Sequence, residues 1–101
     1  MDPKGKFNGD TLSIWWKAKE NASSYFITVE QCHDFECKTP FKVVENILNS
    51  TEAGSMNWEE TSSDHFGPCI DYNLKVSSMD NGLLMSIHLN RVRTGPGGSS
   101  P

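Results

Sequence analysis

Apolar and polar residues alternate in several short runs of this chain, the period of a strand that buries one face. Leu12, Ile14 and Trp16 alternate with Thr11, Ser13 and Trp15, which seats Trp16 inward and leaves Trp15 on the outer face. After a loop at Glu20–Ser24, Tyr25, Ile27 and Val29 share one face of a β-branched, aromatic run that ends at Gln31. A short strand is expected from Lys38 to Val44, with Pro40 marking a sheet edge. From Glu45 to Asp64 the pattern is weak. Asn49-Ser50-Thr51 and Ala53-Gly54-Ser55 read as loops, and Met56-Asn57-Trp58 is the only apolar alternation left to supply a strand there. Tyr72, Leu74 and Val76 alternate cleanly; Asp80-Asn81-Gly82 reads as a turn whose glycine takes positive φ, and Leu84 to Val92 as the closing strand. Ahead of all these, Met1 to Asn8 offers at best a short edge strand around Lys4 to Phe7, followed by an Asn8-Gly9-Asp10 turn signal. No segment carries a capped 3.6-residue stripe. The expectation is an all-β domain of about seven short antiparallel strands in two sheets.

One segment narrows that class. In Phe66-Gly67-Pro68-Cys69-Ile70-Asp71-Tyr72, an apolar-x-Pro bend stands just before a tyrosine that opens a strand. Proline cannot donate to a β-ladder and so belongs at the corner. The tyrosine there buries its ring while its hydroxyl bonds the turning backbone, an arrangement of immunoglobulin-like sandwiches. On these residues the chain resembles a fibronectin type III domain over roughly residues 9 to 96. Trp16 matches the family's early core tryptophan, Tyr25 and Ile27 its Tyr-x-Val/Ile strand, and Phe66, Pro68 and Tyr72 its Leu-x-Pro-x-Thr-x-Tyr corner. Phe replaces Leu and Ile70 replaces Thr in that motif, and three cysteines are unusual for the family. The resemblance implies an immunoglobulin-like sandwich, with Trp16, Tyr25, Phe66, Pro68 and Tyr72 as its structural core.

A chain of 101 residues is enough for one domain. Its expected divisions are residues 1–8 as an N-terminal segment or short edge strand, 9–94 as the fibronectin type III-like domain, and 95–101 as a C-terminal linker. The linker expectation rests on the composition Gly95-Pro96-Gly97-Gly98-Ser99-Ser100-Pro101. A net charge of −4 with scattered basic residues argues against nucleic acid and anionic membrane as partners. No apolar run approaches the roughly 20 residues that span a bilayer, so direct membrane insertion is not expected. The chain reads as an excerpt of a longer protein, whose leader and anchor would lie outside it.

Candidate chemistry is sparse. The sequons Asn21-Ala22-Ser23 and Asn49-Ser50-Thr51 both fall in expected loops, where N-linked oligosaccharides would not collide with a core. Cys32 and Cys37 stand at the two ends of an expected turn, close enough for a disulfide, and Cys69 is then buried or free. The competing pairing is Cys32–Cys69, and an odd cysteine also permits a bridge between chains. Cys32-His33-x-x-x-Cys37 lacks the spacing of common zinc sites, so no metal and no cofactor is expected. His65 and His88 read as ordinary surface or strand residues. Cys32-His33-Asp34 holds the letters of a catalytic relay, but consecutive residues point in different directions and cannot form one. With no phosphate loop or anion hole in the pattern, an enzyme is not expected. Trp15 is a candidate partner contact or else stacks on a strand neighbour, and Arg91 and Arg93 form a small basic stripe or simply solvate the last strand.

The resemblance then implies a non-catalytic extracellular module of a cell-surface receptor or adhesion protein, such as a receptor-type tyrosine phosphatase. Such a module would bind a protein ligand or space neighbouring domains of the same chain. The alternative is an intracellular spacer of a muscle or cytoskeletal protein, marked by free thiols and unused sequons.

Overall fold

The computed structural model describes residues 2–9, 11–50, 55–61 and 66–99. Two antiparallel sheets stack face to face. The first comprises β1 (Lys4–Asn8), β2 (Thr11–Lys17) and β5 (Ser55–Thr61), in the order β1-β2-β5. The second comprises β3 (Ser24–Gln31), β4 (Phe41–Asn49), β6 (Asp71–Asp80) and β7 (Leu83–Arg93), in the order β4-β3-β6-β7. A single 3-10 turn follows at Pro96–Gly98. No helix among the described residues is long and apolar enough to cross a membrane.

The alternation of the sequence explains which faces meet. Phe7, Leu12, Ile14 and Trp16 project from the first sheet, Tyr25, Ile27, Val29, Tyr72, Leu74 and Val76 from the second, and together they form one buried cluster. Inward side chains of two aligned sheets interdigitate in this way and leave the polar alternates outside. β1 is part of that packing, because Phe7 on its inward face and Pro3 just ahead of it are fully buried. Between them Gly5 faces Leu74, whose side chain occupies the space that any Cβ at Gly5 would need. The folded unit therefore includes the first strand. At the other end, the backbone N–H of Gly95 bonds the Ser99 carbonyl at 2.6 Å, and the Gly95 carbonyl accepts from Cys69 at 3.3 Å. The start of the Gly/Pro-rich tail is thus anchored to the sandwich.

Two boundaries differ from the sequence expectation. β4 runs Phe41–Asn49 rather than Lys38 to Val44, and Pro40 stands just ahead of it. It is an edge strand from which only Val44 and Leu48 pack on the core, so its alternation is faint in the sequence. Asn49 consequently closes a strand instead of lying in a loop. β5 pairs with β2 through Ile14↔Trp58 and Trp16↔Met56, which places the Met56-Asn57-Trp58 run in the first sheet. The β6–β7 hairpin turns at Asn81 (φ 49°) and Gly82 (φ 86°), the Asn-Gly signature of a two-residue turn with both residues left-handed.

Candidate interaction surface

The corner before β6 is held by several hydrogen bonds. Tyr72 is 1% exposed, and its ring lies 4.9 Å from Phe7 and 5.7 Å, edge-on, from Phe66. The Gly67 backbone N–H donates to the Tyr72 hydroxyl at 2.9 Å. Burial pushes the phenol pKa above its ordinary value, opposed in part by that hydrogen bond, which favours the phenolate. Thr94 clamps the same bend to the end of β7: its hydroxyl donates to the Gly67 carbonyl at 2.7 Å and accepts from Ile70 N–H at 3.0 Å. Tyr25 acts alike at the opposite turn, where its hydroxyl accepts from Lys19 N–H at 3.0 Å while its ring packs 5.2 Å from Trp16. Both tyrosines of the chain bury a ring and use the hydroxyl to hold a turn.

A second ordered turn joins β3 to β4. Cys32 and Cys37 form a disulfide with Cα atoms 4.7 Å apart. The competing Cys32–Cys69 pairing is not formed, and Cys69 carries an exposed free thiol. Strand pairing does bring the two regions together, since Cys32 N–H bonds the Asp71 carbonyl at 2.9 Å. The local partner nonetheless forms the bridge. Asp34 accepts from Cys37 N–H at 2.6 Å through its carboxylate, so this acid caps a turn. His33 is exposed beside it. Among the described residues no cluster of three His, Cys, Asp or Glu side chains is placed to hold a metal ion. His65 lies outside those residues; His88 is half-buried on β7.

The cysteine turn is also tied to the second sheet by contacts no sequence pattern announces. Asn73 on β6 donates through Nδ2 to the Cys37 sulfur at 3.3 Å and accepts from Arg91 Nε on β7 at 3.1 Å. The Arg91 guanidinium also donates to the Phe35 carbonyl. Arg93 lies 3.4 Å from Asp71. The expected basic stripe is thus a pair of tethered side chains, and Arg91 holds a turn whose Phe35 side chain is 83% exposed.

The outer face of the second sheet divides into two halves. Toward the cysteine turn it is charged, with Lys42–Glu45 at 2.9 Å and Lys75–Glu30 at 3.9 Å. Toward the Asn81-Gly82 hairpin it is apolar. Phe26, Ile47, Met79, Leu84 and Ile87 line a groove of about 710 Å³ there, with Asn49 also in its wall. The register explains why apolar residues face out. On β7 the inward positions are Ser86, His88, Asn90 and Val92, opposite Ser78, Val76, Leu74 and Tyr72. Leu83, Leu84, Met85, Ile87 and Leu89 are left exposed. Alternation alone reveals that Ile87 and Leu89 share a face, and not which face the core takes.

Trp16 is 2% exposed and Trp15 39%, so they lie on opposite sides of β2. Trp15 stands opposite Lys4 of β1 and Asn57 of β5. Phe66 is buried at the corner, and Pro68 is exposed on its outside. Asn21, at φ 67°, is exposed in the turn between β2 and β3. Asn49 is exposed at the end of β4, opposite Ser24. Thr51 of its sequon lies outside the described residues. A scan against protein-family models finds no match to this chain, and a search of curated proteins finds no significant match either.

Proposed function

We propose that this chain is a non-catalytic extracellular module of the fibronectin type III kind, belonging to a cell-surface receptor or adhesion protein and serving to bind a protein or space adjacent domains. A receptor-type tyrosine phosphatase ectodomain is one such parent. The fold assignment draws support from the Tyr72–Gly67 corner and from the three-plus-four sheet order. Exposed sequon asparagines and a disulfide accord with an oxidising compartment.

The observation that carries a binding role is Phe35. A largely exposed aromatic sits at the tip of a turn that is stapled by Cys32–Cys37 and tethered by Arg91. Aromatic anchors dominate interface energetics, and a turn already held in place loses little conformational entropy on binding. Trp15, on the other sheet, is the second candidate contact. The exposed thiol of Cys69 favours the competing reading, an intracellular spacer, because free surface cysteines persist best where the medium is reducing.

Alkylation of the natural protein under thiol-trapping conditions separates the two. Modification of Cys69 alone, with Cys32 and Cys37 reacting only after reduction, is the extracellular outcome. Labelling of all three cysteines before reduction would overturn it. For the binding role, a multimer of the module should stain intact cells, and Phe35→Ser should abolish staining while leaving the melting temperature unchanged.

A further inference from the structure

We propose that an N-linked glycan on Asn49 folds back onto its own domain and covers the apolar groove on the outer face of the second sheet. The inference rests on the extracellular reading, because oligosaccharide transfer requires the secretory pathway. Two independent observations meet at one place. The triplet Asn49-Ser50-Thr51 is an acceptor sequence. The Asn49 residue it designates is exposed and forms part of the groove wall, alongside Phe26, Ile47, Met79, Leu84 and Ile87.

Register puts the attachment point on the correct side. Asn49 pairs with Ser24 and Ile47 with Phe26, so residues 47 and 49 of β4 and residues 24 and 26 of β3 share the outward face. A sugar linked at Asn49 therefore starts in the groove wall, two residue pairs along the ladder from Phe26 and on the same face. A pyranose ring carries an apolar face of C–H groups, which suits the electron-rich face of an aromatic ring. Its hydroxyl and N-acetyl groups need hydrogen-bonding partners, and Ser24 and Ser77 in the wall supply polar atoms of that type. The groove's volume, about 710 Å³, lies within the range of small-ligand sites. Covalent attachment also removes the translational cost of bringing a ligand to the groove.

Placement of Asn49 at a strand end does not oppose modification, since its side chain is exposed and the acceptor is recognised as sequence in an extended chain. Asn21 provides an internal control: it is exposed in a turn but is not part of the groove wall. The occupant is accordingly a specific chemical class, the first N-acetylglucosamine units of an N-glycan. A glycan that leaves the groove open, shown by unshifted sugar signals, would return the groove to a protein partner.

The test uses the whole chain secreted from eukaryotic cells. Peptide mapping should find Asn49 glycosylated. Proton spectra should contain sugar C–H signals shifted upfield by an aromatic ring, and Phe26→Thr should return them to normal positions without removing the glycan. Trimming the oligosaccharide to its first sugar should leave the upfield signals in place. Asn49→Gln should raise binding of a hydrophobic dye and lower Tm by about 4 °C or more, the shift expected of a lost packing contact in a domain of this size. Asn21→Gln should do neither. A glycan at Asn49 with unshifted sugar signals and unchanged dye binding after removal would overturn the proposal. So would an unmodified Asn49 in secreted protein whose Cys32–Cys37 bridge is intact, an outcome that leaves the extracellular reading standing. All cysteines reduced in the natural protein, with both sequons bare, would remove both together.

Discussion

Trp15 and Trp16 are neighbours in the chain and opposites in environment, which makes them a clean probe of strand facing. Trp16 packs on Tyr25 within the common core, so Trp16→Ala should cost about 3–5 kcal/mol as a large-to-small core change. Trp15→Ala should alter folding by no more than about 0.5 kcal/mol, as at most surface positions. Denaturant midpoints of the two variants check the pair: comparable losses would mean that Trp15 is packed as well, and a larger loss at Trp15 that β2 faces the other way. Tyr72 gives a second probe. Tyr72→Phe leaves the Gly67 N–H without its acceptor at a partly buried site and should cost about 1 kcal/mol or somewhat more. The same hydroxyl predicts a pH dependence. A phenol whose folded-state pKa is raised contributes its full stabilisation below the unfolded value, about 10, and loses it as pH climbs through the folded one. Urea midpoints measured from pH 9 upward should fall in the wild type and fall less steeply in Tyr72→Phe. Both residues were legible in the sequence because a tryptophan in clean alternation and a tyrosine after a proline bend each have one low-energy arrangement. Arg91 was not, since its role depends on a turn that lies 56 residues away in sequence.

Among the elements, the cysteine turn and the edge strands β4 and β5, one from each sheet, show what local pattern carries and what it omits. The disulfide closes a very short loop, for which loop-closure entropy predicts about 2 kcal/mol. Cys32→Ser combined with Cys37→Ser should lower stability by about that amount and leave the sandwich folded, as followed by thermal melting and far-ultraviolet circular dichroism. Arg91→Ala should act more locally. It removes the guanidinium contacts to Phe35 and Asn73, so amide exchange should quicken across residues 33–36 while the core strands keep their protection. The position of that turn was readable from two cysteines five apart, and its docking was not. β4 was legible only at its start, because the residues that would declare it face solvent on one side and reach the core at just Val44 and Leu48 on the other. β5 was announced by a single three-residue alternation, which its pairing with β2 extends to Ser55–Thr61.

For the molecule as a whole, the decisive question is which side of β7 meets the core. Period-two alternation defines two faces without ranking them, and a slip of one residue exchanges them. Hydrophobicity by itself would send Ile87 and Leu89 inward and Ser86, His88 and Asn90 outward. The register to β6 does the reverse, anchored at one end by Val92 opposite Tyr72 and adjusted at the other by the irregularity between Ser78 and Met79. The inward polar residues are accommodated because β7 is an edge strand: Ser86 and Ser78 share a hydrogen bond at 2.6 Å, and Asn90 donates to the Pro3 carbonyl at 2.9 Å. The outward apolar residues become the groove wall, which makes the candidate glycan site a consequence of register more than of composition. Ile87→Lys tests this arrangement directly. With Ile87 53% exposed, the change should leave the free energy of unfolding in urea within about 0.5 kcal/mol of wild type and reduce hydrophobic-dye binding by the unglycosylated protein. Leu74→Ala, on the core face of the adjacent strand, should cost about 2–5 kcal/mol. Unfolding of the Ile87→Lys variant would show that this side chain lies between the sheets, in which case β7 is shifted by one residue and the groove beside Asn49 does not exist.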